Sequence, residues 1–279
     1  MNGYNPTRSP NWNYGGKYWK LSRSKIELYQ KCPLCFYLDN KLGTKQPPSY
    51  PFNLNIAVDE LLKKEFDLHR DSQTPHAIMS RYNISAVPFN HPEIHTWRAN
   101  FTGLTAVHAE TGLTVQGAVD DLWINPQGEL IVVDYKATSA KDRIENLDKA
   151  WHQGYKRQME VYQWLYRQNG FTVSDTGYFL YANADKKPAL FDSCLTFDLT
   201  LIPYVGSDAW IQPTLLAIKE CLESSELPAA GAGCDVCRYS LARVTHVATY
   251  SRLSCTSCMT RLPPIEEEET ALGLDLKPC

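Results

Sequence analysis

The stretch that decides the fold reads Thr114-Val-Gln-Gly-Ala-Val-Asp-Asp-Leu-Trp-Ile-Asn-Pro-Gln-Gly-Glu-Leu-Ile-Val-Val-Asp-Tyr-Lys136. Its apolar and β-branched residues predict strands over 114–124 and 129–136, joined by a tight turn at Asn125-Pro-Gln-Gly128. In such a hairpin Asp120 can lie beside Asp134. Lys136 faces the same side as Asp134, because side chains alternate along a strand. The pattern therefore predicts that two carboxylates and an amine converge on one patch.

This patch suits the hydrolysis of a phosphodiester. Mg²⁺ or Mn²⁺ takes oxygen ligands, often one or two carboxylates together with substrate phosphate. The predicted metal ligands are Asp120, Asp134 and the backbone carbonyl of Tyr135, while Lys136 places a water or stabilises developing negative charge. A simple ion pair at a strand end is the alternative. The apolar run that leads directly into the two charges favours chemistry.

Helices and strands are predicted on both sides of the hairpin from hydrophobic spacing and capping residues. The first predicted helix starts at Ser22 or Ser24 and ends near Pro33. Three further helices are predicted over 55–70, 147–168 and 208–223, and two further strands over 176–182 and 190–198. This order predicts an α/β or α+β core with a mixed sheet.

Four short motifs occur in an informative order. They are Ser22-Arg-Ser24 with Cys32-Pro-Leu-Cys-Phe-Tyr37, Gly117-Ala-Val-Asp120, Ile131-Val-Val-Asp134-Tyr-Lys136 and Gln158-Met-Glu-Val-Tyr162. Together they resemble the PD-(D/E)XK nuclease superfamily, in particular its RecB-like branch, which includes CRISPR-associated RecB-like exonucleases and AddB-type helicase-nucleases. The resemblance runs from about residue 21 to 240. It implies a restriction-endonuclease-like core whose central mixed β-sheet is flanked by helices.

The resemblance also implies residue roles. Asp120 and Asp134 would be metal ligands, Lys136 the catalytic lysine, and Gln158 with Tyr162 an active-site pair on one face of the following helix. The implied function is a metal-dependent DNA nuclease, exonuclease-like, that acts in DNA repair, recombination or CRISPR-type DNA processing. Its DNA would be single-stranded or have single-stranded ends. The chain lacks a helicase phosphate-loop motif, so a helicase or CRISPR adaptation proteins would be separate partners.

One position departs from the branch, which has a histidine on the early helix, four residues after a glycine. Here Asn55 stands at the glycine position and Asp59 at the histidine position. Asp59 can still bind a hard cation, and Glu65 is the alternative ligand. The missing histidine favours a second hypothesis, a catalytically degenerate nuclease fold that binds nucleic acid. The intact Asp-x-Lys motif opposes that hypothesis.

The chain has nine cysteines, and four of them form the Cys-x-x-Cys pairs Cys32/Cys35 and Cys234/Cys237. In a reducing compartment such pairs favour metal binding over disulfides. Four thiolates suit a zinc ion or an iron-sulfur cluster. The nuclease branch often joins its two ends with a four-iron cluster, so the resemblance implies a cysteine-metal staple between the ends of this fold. The branch's last cysteine is missing, and Cys35 could replace it, while Cys255 and Cys258 could compete for the metal.

Charge is distributed unevenly along the chain. There are 28 Lys and Arg against 31 Asp and Glu, which excludes binding of nucleic acid through bulk charge alone. Residues 1–46, however, hold eight basic and only two acidic residues. The aromatic residues interleaved with these lysines could stack on single-stranded bases, or pack the segment onto the core. They are Trp12, Tyr14, Tyr18 and Trp19.

Composition divides the chain into three parts. Residues 1–20 are predicted to be an irregular basic and aromatic arm, 21–240 the nuclease domain, and 241–279 a mobile tail. An altered reading frame would also account for the tail, because the resemblance stops abruptly after Tyr239. Neither a signal peptide nor a membrane-spanning run is evident, which predicts a cytoplasmic protein without a membrane partner.

Overall fold

The structure is a computed structural model, and it describes residues 4–48 and 52–254. The chain forms two compact units, Met1–Ala232 and Gly233–Cys279. The helices of the first unit are α1 (Arg23–Lys31), α2 (Pro33–Asn40), α3 (Asn53–Ser72), α4 (Ala77–Arg81), α5 (Ile94–Trp97), α6 (Gln153–Gln168) and α7 (Ile211–Glu223). Its strands are β1 (Leu21–Ser22), β2 (Val87–Pro88), β3 (Leu104–Val107), β4 (Thr114–Gly117), β5 (Asp121–Ile124), β6 (Leu130–Thr138), β7 (Thr176–Ala184) and β8 (Phe197–Val205). Helix α8 (Asp235–Ser254) belongs to the second unit.

The strands of the first unit form two sheets. The larger has the order β2-β5-β6-β7-β8, in which β6 and β7 are parallel and the other neighbours are antiparallel. The smaller has the order β1-β4-β3, with β1 parallel to β4. Helices flank the sheets, so the predicted mixed α/β fold is confirmed.

Strand β6 lies in the middle of the larger sheet and is buried on both faces. Ile131 and Val133 pack in the same apolar cluster as Phe66 of α3. Val132 packs in the other cluster, with Met159 of α6. This alternation places even-numbered residues of β6 on the α6 side, and the next of them is Asp134.

The strand predicted over 114–124 is interrupted. Strand β4 ends at Gly117 and β5 begins at Asp121, and the two belong to different sheets. A Cβ atom at Gly117 would lie 2.8 Å from side-chain atoms of both Tyr162 and Leu165, so only glycine lets α6 pack this closely. The hairpin itself forms between β5 and β6, and its last pair is Asp121 with Val133. Asp120 therefore follows in register with Asp134, immediately beyond the ladder.

Two other elements begin at residues different from those predicted. The strand predicted over 190–198 is wrong, since β8 begins at Phe197. The preceding loop has a positive φ at Asp192 and Ser193, a conformation incompatible with a strand. The helix predicted from 147 begins as a 3-10 turn, Ala150–His152, and continues as α6.

The predicted mobile tail over 241–279 begins within α8, which extends to Ser254. That helix has neither glycine nor proline to interrupt it. The later cysteines, Cys255, Cys258 and Cys279, lie outside the described residues. Among the helices that the structure describes, none combines the length and apolar character needed to cross a bilayer.

Candidate active site

Asp134 is the centre of the candidate site. Its side chain is fully buried on the α6 side of β6, and its Oδ1 has no hydrogen-bond partner among the described residues. The ammonium group of Lys136 forms an ion pair with it, as their spacing along one strand predicts. Burial and the neighbouring Asp120 raise the pKa of Asp134 above its ordinary value, although Lys136 opposes them.

The pKa of Lys136 is also raised, but by charge rather than by burial. Burial disfavours its ammonium form, but the carboxylates of Asp134 and Asp120 outweigh burial and raise the pKa of Lys136. Its Nζ also lies 4.6 Å from the centre of the Tyr155 ring, which adds a cation-π contact. The side chain is therefore a fixed cation beside two carboxylates.

Asp120 reaches the same place from the end of the neighbouring strand. Its Oδ2 accepts a hydrogen bond of 2.9 Å from the backbone N–H of Tyr135. That bond extends the hairpin by one step beyond its last paired residues. Asp120 is thus held by the backbone of the strand that carries Asp134.

Helix α3 adds a third carboxylate. Lys63 Nζ lies 2.8 Å from Oδ2 of Asp59 and 4.0 Å from Oδ1 of Asp120, so it links the two aspartates. Burial and the charge of Asp120 raise the pKa of Asp59 despite Lys63. Lys63 was missed from the sequence, although its i,i+4 spacing from Asp59 was a usable signal. We call Asp59, Asp120 and Asp134, with their two lysines, the carboxylate cluster.

The alternative ligand Glu65 is not part of this cluster. Its Oε1 lies 2.8 Å from Nε2 of His76, which is buried beyond the apolar side of α3. Asp59 is therefore the acidic residue of α3 that the fold brings to Asp120. A cavity of about 130 Å³ opens beside Asp59 and Lys136.

Gln158 and Tyr162 lie on one face of α6, as predicted, and both are buried. The amide of Gln158 donates a hydrogen bond of 3.2 Å to the Tyr162 hydroxyl. Burial raises the pKa of Tyr162, and the charges of Asp120 and Asp134 act in the same direction. Tyr162 therefore lies within electrostatic reach of the carboxylate cluster.

A second group of charges, on the α3 side of the sheet, was missed entirely. Asp121 is fully buried, and Arg70 forms an ion pair with its Oδ1. The Tyr135 hydroxyl donates to its Oδ2 at 2.8 Å. Arg98 donates two hydrogen bonds of 2.9 and 2.8 Å to the Asp67 carboxylate, and Arg70 Nε donates a third of 3.0 Å. We call these four charged residues and the Tyr135 hydroxyl the arginine network.

The predicted cysteine site draws on both ends of the chain. Cys32 caps α2, and its Sγ accepts backbone N–H groups from Cys35 at 3.4 Å and Gly231 at 3.2 Å. Cys234 precedes α8, and Cys237 lies in its first turn. Each unit thus contains one Cys-x-x-Cys pair, and we call these four residues the cysteine group, because thiolates are ligands for zinc and iron-sulfur clusters.

Comparison with known proteins gives one decisive match. The family model described as the PD-(D/E)XK nuclease superfamily matches residues 20–241. No curated protein matches the chain. A solved structure described as "Crystal structure of SSO0001" is 15% identical, with 74% of this chain and 86% of that chain covered and a TM-score of 0.27, which is too low to carry an argument. The family match covers well over half of the sequence, and the chain belongs to the PD-(D/E)XK nuclease superfamily.

Proposed function

We propose that this protein is a Mg²⁺- or Mn²⁺-dependent DNA nuclease whose active site is the carboxylate cluster. The observation that carries the proposal is Asp134, a fully buried carboxylate that Lys136 pairs through one oxygen, while its Oδ1 has no hydrogen-bond partner among the described residues and Asp120 crowds it. Such a group costs free energy unless a cation or a proton compensates it. With Asp120 and Asp59 close by, the cluster has three carboxylates and two lysines, a donor set that suits a hard divalent cation.

The residues divide the work between them. Asp59, Asp120, Asp134 and the carbonyl of Tyr135 would hold the metal ion, which when bound supplies a Lewis acid and activates a water. Lys136 stays protonated because of its raised pKa, so it donates hydrogen bonds and offsets negative charge that develops on the phosphate.

Gln158 and Tyr162 would position the substrate on the α6 side. Their mutual hydrogen bond fixes both side chains next to the cluster. This arrangement supports assignment to the RecB-like branch, and with it an exonuclease-like action in repair, recombination or CRISPR-type DNA processing, with any helicase or adaptation protein as a separate partner. We further propose that the cysteine group binds a four-iron cluster or a zinc ion. Iron, sulfide and zinc analysis of protein purified without air would distinguish the two.

The nuclease proposal is tested by cleavage of end-labelled single- and double-stranded DNA with magnesium, manganese or chelator. We expect cutting that needs the metal and is lost in Lys136→Ala. Lys64→Ala, which removes an exposed lysine of α3, is the matched control and should cut like the wild type. Intact DNA binding without any cleavage by the wild type would favour the degenerate-nuclease hypothesis instead.

A further inference from the structure

The amino-terminal segment forms one wall of a cavity of about 470 Å³ in the first unit. Its lining includes four basic residues and two aromatic residues of that segment: Arg8, Lys20, Arg23 and Lys25, with Trp12 and Tyr18. Gly117 and Tyr162 also line it. We call this space the arm cavity. Its volume is that of a pocket for a small ligand or a few linked groups, rather than a groove for a duplex.

Four aromatic residues of the segment fall into two pairs. Trp19 donates its indole N–H to Asn40 at 3.1 Å, and Tyr14 packs edge-on against Trp19 with ring centres 5.1 Å apart. This pair anchors the segment to the core. Trp12 and Tyr18, in contrast, are 53% and 46% exposed, and their rings lie 5.2 Å apart on the cavity wall. They have the exposure that a stacking surface requires.

The basic residues of the cavity outnumber their acidic partners. Arg8 pairs with Asp39 at 2.6 Å. Within the described residues, no carboxylate forms an ion pair with Lys20, Arg23 or Lys25. Burial and the charge of Arg8 lower the pKa of Lys25 to about 8, although Asp39 opposes them. An anion that entered the cavity would relieve this crowding of positive charge.

The arm cavity and the proposed active site share the side chain of Tyr162. Tyr162 lines the cavity, and its hydroxyl accepts a hydrogen bond of 3.2 Å from Gln158. A strand held in the cavity would therefore lie against a residue of the proposed active site.

We propose that the arm cavity binds a single-stranded segment of the nucleic-acid substrate, with bases stacked on Trp12 and Tyr18 and phosphates beside Lys20, Arg23 and Lys25. The inference rests on the proposed nuclease function and names the form of its substrate. Single strands fit because their bases are free to stack on aromatic side chains, whereas those of a duplex are stacked on each other. A basic and aromatic surface of this kind tolerates many sequences, so little base preference is expected.

Binding is measured with the full chain in chelator, by fluorescence anisotropy of a labelled oligothymidine of about ten nucleotides. We expect Trp12→Ala to weaken binding about tenfold and Trp12→Phe to restore most of the loss. Lys20→Ala should reduce the slope of log affinity against log salt by about 0.7. Phe191→Ala, at an exposed ring of the β7–β8 loop, and Lys64→Ala are the matched controls and should bind like the wild type.

Two results would overturn the arm cavity as a strand site. One is wild-type binding by both Trp12→Ala and Lys20→Ala. The other is a blunt duplex that binds as tightly as the single strand and loses as much affinity in Trp12→Ala. Cleavage assays with magnesium keep the two proposals separate. A wild type that cuts while the variants bind normally retains the nuclease and refutes the cavity. A wild type that never cuts, but whose binding depends on Trp12, refutes the nuclease and retains the cavity.

Discussion

The two charged regions on opposite faces of β6 both combine aspartates with basic side chains, but the pKa values of their aspartates shift in opposite directions. In the arginine network, Arg98 and Arg70 give Asp67 three hydrogen bonds and outweigh burial, so the pKa of Asp67 is lowered. In the carboxylate cluster, burial and mutual repulsion raise the pKa of Asp59 and Asp134.

The boundary between the two regions runs between adjacent residues of the chain. Asp120 turns toward the cluster and Asp121 toward the arginine network. In the arginine network two arginines balance two aspartates, and such a complete network stabilises the fold. The carboxylate cluster has three carboxylates and two lysines, and its surplus negative charge suits the binding of a cation.

The largest expected effect is on the stability of the complete network. Asp121→Asn removes the charge that compensates Arg70 in the interior, and breaking a buried pair on one side costs about 3–5 kcal/mol. Urea unfolding measures the loss. Asp71→Asn, at an exposed aspartate of α3, is the control and should unfold like the wild type. Unchanged stability of Asp121→Asn would mean that the arginine network does not hold the fold together.

The same substitution at Asp134 should abolish most of the cleavage activity without loss of stability. Asp134→Asn removes a buried, crowded carboxylate, so stability in chelator should stay equal or increase. Cleavage should fall by at least about 10²-fold, because a group that holds the metal and orients the phosphate is lost. Labelled-DNA cleavage and urea unfolding are measured on the same preparation. A variant that is less stable and still cuts would reverse the roles assigned to the two regions.

The third expected effect is a difference between the two regions in how the stability of their variants depends on pH. A carboxyl with a lowered pKa stabilises the fold above its ordinary value of 3.8, and that contribution is lost as pH falls through the lowered pKa. At pH 7 Asp67→Asn should therefore cost about 2 kcal/mol, and the difference from wild type should shrink below pH 3.8.

The effect of Asp59→Asn on stability should have the opposite sign, because the pKa of Asp59 is raised. Asp59→Asn should be slightly more stable than wild type at pH 7 in chelator, and this gain should fade as acid protonates the wild-type carboxyl. Unfolding midpoints across this pH range check both variants. If the stability differences of Asp67→Asn and Asp59→Asn from wild type changed with pH in the same direction, the contrast between the two regions would be wrong.

The sequence predicts the cluster better than the network, for a physical reason. Asp120, Asp134 and Lys136 are joined by a tight turn and a two-residue strand period, which are local rules that sequence patterns obey. The partners of the network are distant, since Arg70 lies 51 residues from Asp121 and Asp67 lies 31 from Arg98. No periodicity relates such positions.

The ends of helices and strands follow the same rule, since those set by local patterns are predictable and those set by distant contacts are not. Helices with strong apolar spacing, such as α3 and α6, were predicted close to their observed ranges. The break between β4 and β5 was not, because it depends on the packing of α6 against Gly117.

The smallest expected effect comes from Tyr135, the residue that touches both regions. Its backbone N–H donates to Asp120, and its hydroxyl donates to Asp121. Tyr135→Phe removes only the second bond, because the backbone donor does not depend on the side chain. We expect a loss of about 1 kcal/mol in urea unfolding, the net worth of a typical hydrogen bond, since Arg70 still pairs with Asp121. Cleavage should change less than in Asp134→Asn by a wide margin. If cleavage instead fell as far as in Asp134→Asn while stability was kept, the hydroxyl would be coupled to the cluster, and the two faces of β6 would have to be treated as one site.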